Sequence, residues 1–165
     1  MDLAVSLVMR RGLRIALALH SRDVASKKEW EAAMVVYRRL VQGSSLEART
    51  GRLFVITDGG TPDTTQRREL DQLWGTHPVK TAVILPGLQN PIKRGVVTAL
   101  TWGNPAMSFF TPERVDGALA HLGLEGELAA LLPDFLLLQE RMPPNLMLKL
   151  VGERASSEAS KSLVR

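Results

Sequence analysis

The chain has no cysteine and few aromatic residues: one tyrosine, four phenylalanines and three tryptophans among 165 residues. Without cysteine it can form no disulfide, no zinc–thiolate site and no cysteine nucleophile. The shortage of tyrosine and phenylalanine argues against a stacking surface for single-stranded nucleic acid. No apolar run is long enough to span a bilayer, because Pro133-Asp134 interrupts the longest one, Leu128 to Leu138.

The charge balance is mildly basic, with 21 Lys and Arg against 17 Asp and Glu and a net charge of +4. The basic residues come as scattered pairs and not as one patch, so the sequence predicts no specific nucleic-acid partner. The apolar N-terminal residues precede Arg10 and Arg11, which is the reverse of the order in a signal peptide. We therefore expect a cytoplasmic protein that does not insert into membranes.

The stretch from Arg52 to Gly75 fixes the expected fold class. Leu53–Thr57 is a continuous apolar, β-branched run, which is typical of a buried strand. Asp58-Gly59-Gly60 then predicts a turn, and Thr61-Pro62-Asp63 predicts a helix start with Thr61 as the cap and Pro62 at the first helical position. A buried strand followed by a capped helix is the unit of an α/β protein.

The remaining elements extend this pattern in both directions. Two apolar segments around Arg10-Arg11-Gly12 predict a leading β-hairpin, and Ser26 with Glu29 forms a capping box before a helix. The later elements are a strand at 79–85, a helix from Asn90-Pro91, a strand at 107–110 and a helix at 111–123. The order β-β-α-β-α-β-α-β-α predicts a four- to five-stranded mixed sheet, antiparallel only at its first strand, with helices mainly on one face.

The size and composition predict one main domain with two additions. Residues 1–123 hold the α/β pattern, and residues 124–150 form a Leu- and Met-rich helical extension that packs on or beside the domain. The polar, Ser-rich segment at 151–165 is typical of a disordered tail. Within the extension, the predicted role of Leu146 to Leu150 is to face a partner.

The central unit resembles the STAS family, the family of the anti-sigma-factor antagonists. In that family an Asp ends a buried strand and an Asp-Ser-Ser-Gly-like sequence begins the next helix. Here Asp58 ends the strand and Asp63-Thr64-Thr65 follows, whereas Gln66 stands where the family has glycine and the loop between the two acids is shorter. The segments TDGGTP, RGVVTALTW and NPAMSFFTPE are also similar to bacterial STAS-like proteins. The resemblance covers about residues 1–123 and implies a STAS-like sandwich whose helix start meets a partner kinase or target.

We interpret the chain as a non-enzymatic regulatory or protein-interaction module with no metal and no cofactor. The predicted docking and regulatory residues share the loop and helix start at 58–68: Asp58, Gly59, Gly60, Thr61, Asp63, Thr64, Thr65 and Arg67. Phosphorylation at Thr61, Thr64 or Thr65 would modulate that surface. A secondary surface is predicted at Lys93, Arg94 and Trp102. The expected partner is another protein.

Two other functions stay open at this point. A small-ligand or anion-binding enzyme of phosphate or acyl chemistry would gather Asp58, Asn90 and Asn104 above the carboxyl ends of the strands. A structural or assembly protein would instead form a homo-oligomer through its C-terminal Leu/Met segment.

Overall fold

The structure is a computed structural model, and it describes residues 1–42, 51–75, 79–88, 90 and 106–162. Its strands are β1 (Leu3–Arg10), β2 (Leu13–His20), β3 (Gly51–Thr57), β4 (Lys80–Ile84) and β5 (Met107–Phe110). Its α-helices are α1 (Lys27–Val41), α2 (Thr64–Trp74), α3 (Val115–Leu122), α4 (Leu128–Gln139) and α5 (Leu146–Ser162), and a 3-10 turn at Pro112–Arg114 precedes α3.

The five strands form one mixed sheet in the order β1-β2-β3-β4-β5. β1 and β2 are antiparallel, and every later neighbour is parallel. The hairpin turn at Arg11 and Gly12 has positive φ at both positions, 50° and 74°, which matches the twist of the flanking strands. The α/β class and the mixed sheet with an antiparallel first strand are confirmed. The helix predicted from Asn90-Pro91 lies outside the described residues from position 91 onward.

Helices cover both faces of the sheet, so the expectation of helices mainly on one face is wrong. On one face, α1 and α2 pack Trp30, Tyr37 and Trp74 over the small β2 residues Ala16 and Ala18. On the other face, α3, α4 and α5 pack over the larger residues of the same strands, which are Ile15, Leu17, Leu19, Phe54 and Ile56. Because every strand here is apolar on both sides, a bare second face would expose most of these side chains to water.

The C-terminal segment is an integral part of this second core. α4 runs through Pro133 as one helix, and its Phe135 packs edge-on against Phe54 of β3, with ring centroids 5.3 Å apart. The first turns of α5 contain the buried residues Met147, Leu148 and Val151, whereas its first residue, Leu146, is 49% exposed. The prediction that Leu146 to Leu150 faces a partner is therefore wrong for Met147 and Leu148, which contact the chain's own core.

α5 also corrects the predicted tail. Helix continues through Ser162, so residues 151–162 are helical where a disordered segment was expected. Glu153, Arg154, Ser156 and Ser157 of this polar stretch are exposed on a helix whose first turns are anchored in the core. Lys149 and Glu153 support the exposed side with an i, i+4 ion pair at 3.9 Å. Among the residues described, no helix is long and apolar enough to cross a membrane.

Candidate functional site at the carboxyl edge of the sheet

The turn after β3 is tied to the end of the neighbouring strand β2. The backbone N–H of Asp58 donates to the carbonyl of His20 at 3.1 Å, and the N–H of Gly60 donates to the carbonyl of Ser21 at 2.8 Å. The buried Thr57 hydroxyl donates to the carbonyl of Gly60 at 2.9 Å. Gly60 itself is buried, and a Cβ at this position would collide with the imidazole of His20 and the carbonyl of Ser21. The glycine is therefore required by close packing.

The carboxylate of Asp58 accepts hydrogen bonds from the first residues of α5. Its Oδ2 accepts from the backbone N–H of Leu146 at 2.9 Å, and its Oδ1 accepts from the N–H of Met147 at 2.9 Å. These N–H groups belong to the first turn of α5 and have no partner within the helix. A carboxylate at this end also interacts favourably with the helix dipole. The half-buried Asp58 thus caps a helix that lies far away in the sequence.

Asn145 completes this contact, and it is not among the residues predicted from the sequence. Its Oδ1 accepts from the N–H of Leu148 at 2.9 Å, and its Nδ2 donates to the carbonyl of His20 at 2.9 Å. Asn145 is therefore the N-terminal cap of α5 and a bridge to the end of β2. The signal that could have revealed it is an asparagine between Pro144 and a Leu/Met run, which is a capping pattern.

The start of α2 differs by two residues from the predicted one. The cap is Asp63 and not Thr61: its Oδ1 accepts from the N–H of Gln66 at 2.9 Å, and Gln66 Oε1 accepts from the N–H of Asp63 at 3.1 Å. Pro62 consequently precedes the cap. Asp63 is the cap because its extended backbone lets the carboxylate reach the N–H of Gln66, the third helical residue. The Gln66 side chain in turn accepts from the N–H of Asp63, which completes a capping box.

Gln66 also anchors the helix to the rest of the fold. Its side chain is buried, and Nε2 donates to the carbonyl of Ala25 in the loop before α1 at 2.9 Å. One turn later, Glu69 accepts a hydrogen bond from the indole N–H of Trp30 on α1 at 2.6 Å. The glutamine therefore has a structural reason to stand where the STAS pattern has glycine, since a glycine could make neither the capping bond nor the anchor.

The predicted site residues separate into two groups in the structure. Asp58 is half-buried and Gly60 is buried, and both serve internal contacts. The exposed members are Gly59, Thr61, Asp63, Thr64, Thr65 and Arg67, and Arg68 is exposed beside them. The secondary surface predicted at Lys93, Arg94 and Trp102 lies outside the described residues, as does Asn104 of the small-ligand alternative. In that alternative, Asp58 would have to give up the helix cap to bind a ligand.

His20, Ser21 and Asp2 lie close together at this edge but do not form a nucleophile–base–acid chain. The Ser21 hydroxyl donates to Asp2 Oδ1 at 2.7 Å instead of to the imidazole. His20 is only 4% exposed, and its Nδ1 lies 3.1 Å from the carbonyl of Ser21. Burial lowers the pKa of His20 below the ordinary value of 6.5, because the cationic form would lose its hydration. The arrangement favours a neutral, structural histidine.

Across the part of the chain that the structure describes, no three His, Asp or Glu side chains are grouped so that they could hold a metal ion. Comparison of the chain with family models, with curated proteins and with solved structures finds no match. The resemblance to STAS domains therefore stays a prediction from the sequence.

Proposed function

We propose that the protein is a non-enzymatic interaction or regulatory module of the cytoplasm, and that its docking surface is the start of α2. We define the α2 surface as the exposed residues Thr61, Asp63, Thr64, Thr65, Arg67 and Arg68. The observation that supports the proposal is this group of exposed polar side chains on a helix start that hydrogen bonds hold to the rest of the fold. The anchors are the capping bonds of Asp63 and Gln66 and the bond from Gln66 to Ala25.

Such anchoring favours binding because the surface is ordered before a partner arrives. A loop that had to become ordered on binding would lose conformational entropy at that moment, whereas a preformed helix start does not. The carboxyl edge of a parallel sheet is also where open α/β folds usually present their binding residues. The α2 surface combines both features in residues 61–68.

The chemistry of the α2 surface suits a protein partner with acidic groups. Arg67 and Arg68 offer two exposed guanidinium groups, and the threonine hydroxyls can donate and accept hydrogen bonds. Thr64 and Thr65 occupy the first two helical positions, where a phosphate would interact favourably with the helix dipole. The neighbouring carboxylate of Asp63 would repel that phosphate. Phosphorylation there would therefore change the charge that a partner meets.

The test is affinity capture from lysate of the native host, followed by mass spectrometry, with wild type and variants compared side by side. One variant is Arg67→Glu with Arg68→Glu, and a second is Thr64→Glu with Thr65→Glu. The control is Arg38→Glu, because Arg38 is also exposed but lies in the last turn of α1, where the neighbouring Arg39 carbonyl accepts from Arg14 at the start of β2. We expect both variants to lose a partner that wild type and the control retain. Identical partner sets in all four samples would refute the proposed surface.

A further inference from the structure

The outer edge of the sheet at β1 lacks the usual protection against pairing. β1 is the terminal strand, and among the described residues no strand pairs with its outer side. The segment Leu3–Met9, LAVSLVM, contains no charged residue and no proline. Natural proteins normally place lysine, proline or a bulge on such an edge, because its unpaired backbone groups would otherwise pair with another strand. An unprotected edge of this length indicates that β1 pairs with a strand of another molecule.

The register of the hairpin shows which backbone groups face outward. The N–H of Ser21 donates to the carbonyl of Asp2 at 2.8 Å, in line with the pairing of Leu3 with His20. Alternate residues of a strand direct their backbone groups to opposite sides, so the even-numbered residues of β1 bond to β2. The backbone groups of Leu3, Val5, Leu7 and Met9 consequently face away from the sheet.

Exposed apolar side chains accompany this edge on one face. Leu7 is 36% exposed and Met9 is 56% exposed, beside the partly buried Val5. On α1, Glu29 marks the side nearest to β1, because its Oε1 accepts from the N–H of Asp2 at 3.0 Å. Ala32 is exposed three residues further along the helix, so it lies on the same side.

The opposite face shows the same feature. Arg10 of β1 donates to the carbonyl of Ala130 and to Asp134 on α4, which marks the side of α4 nearest to the edge. Leu137 is three residues from Asp134 and seven from Ala130, so it lies on that side, and it is 60% exposed. Apolar surface therefore flanks the unprotected edge on both faces of the sheet.

We propose that the protein forms a two-fold dimer in which the outer edges of two β1 strands pair antiparallel and join the two sheets. The pairing places Ser6 opposite the partner subunit's Ser6. Leu7 then lies opposite the partner subunit's Val5, and Met9 opposite the partner subunit's Leu3. These contacts cover the exposed apolar side chains of Leu7 and Met9, and the outward backbone groups of all four odd-numbered residues gain partners.

Charge complementarity selects this register and the second copy as the occupant. With the two-fold axis at Ser6, Asp2 lies opposite the partner subunit's Arg10, at both ends of the interface. A shift by two residues would set Arg10 opposite Ala4 and lose both pairs. An unrelated strand would match these positions only by coincidence.

The first experiment measures mass in solution by sedimentation velocity and light scattering over a concentration series. Wild type is expected at twice the chain mass of 18.1 kDa, and Leu7→Lys with Met9→Lys at the chain mass. The matched control is Leu136→Lys, because Leu136 is 51% exposed on the side of α4 that carries Leu132, next to α5. This control should remain dimeric, and far-ultraviolet circular dichroism should be the same for all three proteins. Wild type that stays monomeric, or a double variant that stays dimeric, would overturn the proposal.

The second experiment tests the register with a disulfide, which is simple because the chain has no cysteine of its own. Two Ser6 residues at the proposed non-hydrogen-bonded position would have Cα atoms about 4.5 Å apart, which lies within disulfide range. Ser6→Cys should therefore form a covalent dimer under mild oxidation, and Leu7→Cys should not. Cross-linking of Leu7→Cys alone would reject this register. The Arg67→Glu, Arg68→Glu variant should stay dimeric, which keeps this test separate from that of the α2 surface.

Discussion

Asp58 and Asp63 stand five residues apart in one polar stretch, yet they serve different parts of the molecule. Asp63 caps its own helix, α2, through a reciprocal bond with Gln66 three residues later. Asp58 caps α5, whose first N–H groups lie 88 and 89 residues further along the chain. The chemistry is the same in both cases, a carboxylate on unsatisfied N–H groups. Only the distance along the chain differs.

Because the two carboxylates cap different helices, the single predicted site is divided into two regions of the molecule. The turn Asp58–Gly60 is held in the fold by contacts with β2 and α5, while the residues of the α2 surface are exposed. We therefore expect changes in the turn to act on stability, and changes on the α2 surface to act on binding.

Gly60→Ala should destabilise the protein most. The added Cβ would collide with the backbone carbonyl of Ser21 and the buried ring of His20, and neither can move without disturbing the end of β2. We expect a loss of about 3 kcal/mol in the free energy of unfolding, measured by urea denaturation. Gly152→Ala is the control, since its Cβ would have no neighbour closer than 4.0 Å and lies in a helix. It should be neutral or stabilising by about 1 kcal/mol.

Asp58→Ala should cost about 1–2 kcal/mol and Asp63→Ala about 1 kcal/mol, because each removes a helix cap. Hydrogen exchange should locate the two effects in different helices. Asp58→Ala should accelerate exchange in the first turns of α5 and leave α2 unchanged, and Asp63→Ala should do the reverse. Faster exchange in α2 on replacement of Asp58 would contradict the assignment of its carboxylate to α5.

The stability should fall as the pH falls below the ordinary imidazole pKa of 6.5, because His20 has a lower pKa in the folded protein. The unfolded chain then binds a proton that the folded protein resists, so stability is fully present above pH 6.5 and is lost toward the folded pKa. Urea denaturation across this range should show a steeper decline for wild type than for His20→Gln. Parallel curves for the two proteins would indicate that His20 titrates normally.

Thr64→Glu with Thr65→Glu should change stability least. Both positions are exposed in the first turn of α2, where negative charge is favoured by the helix dipole and opposed by the neighbouring Asp63. We expect the free energy of unfolding to stay within about 0.5 kcal/mol of wild type. A loss as large as that of Asp58→Ala would show that these hydroxyls are structural, and would weaken the proposed division between turn and surface.

Local interactions explain why several features could be predicted from the sequence. The hairpin at Arg11-Gly12, the capping box of Ser26 and Glu29 and the left-handed Gly123 after α3 all depend on residues within a few positions of one another. The strand at Leu53–Thr57 was evident because its apolar run is long and β-branched. Each of these patterns lies within one short segment, so that segment alone predicts the turn, helix end or strand.

The face of the sheet that each helix covers, and the capping of α5 by Asp58, depend on contacts between segments that are distant in the sequence. Apolar residues on both sides of the strands require two layers of helices, but nothing in a single helix says which layer it joins. The polar half of α5 has no apolar pattern of its own and is helical because Met147, Leu148 and Val151 anchor the first turns in the core and Asn145 and Asp58 cap the helix. These burial and capping contacts join residues that are far apart in the sequence, so the pattern of neighbouring residues cannot predict them.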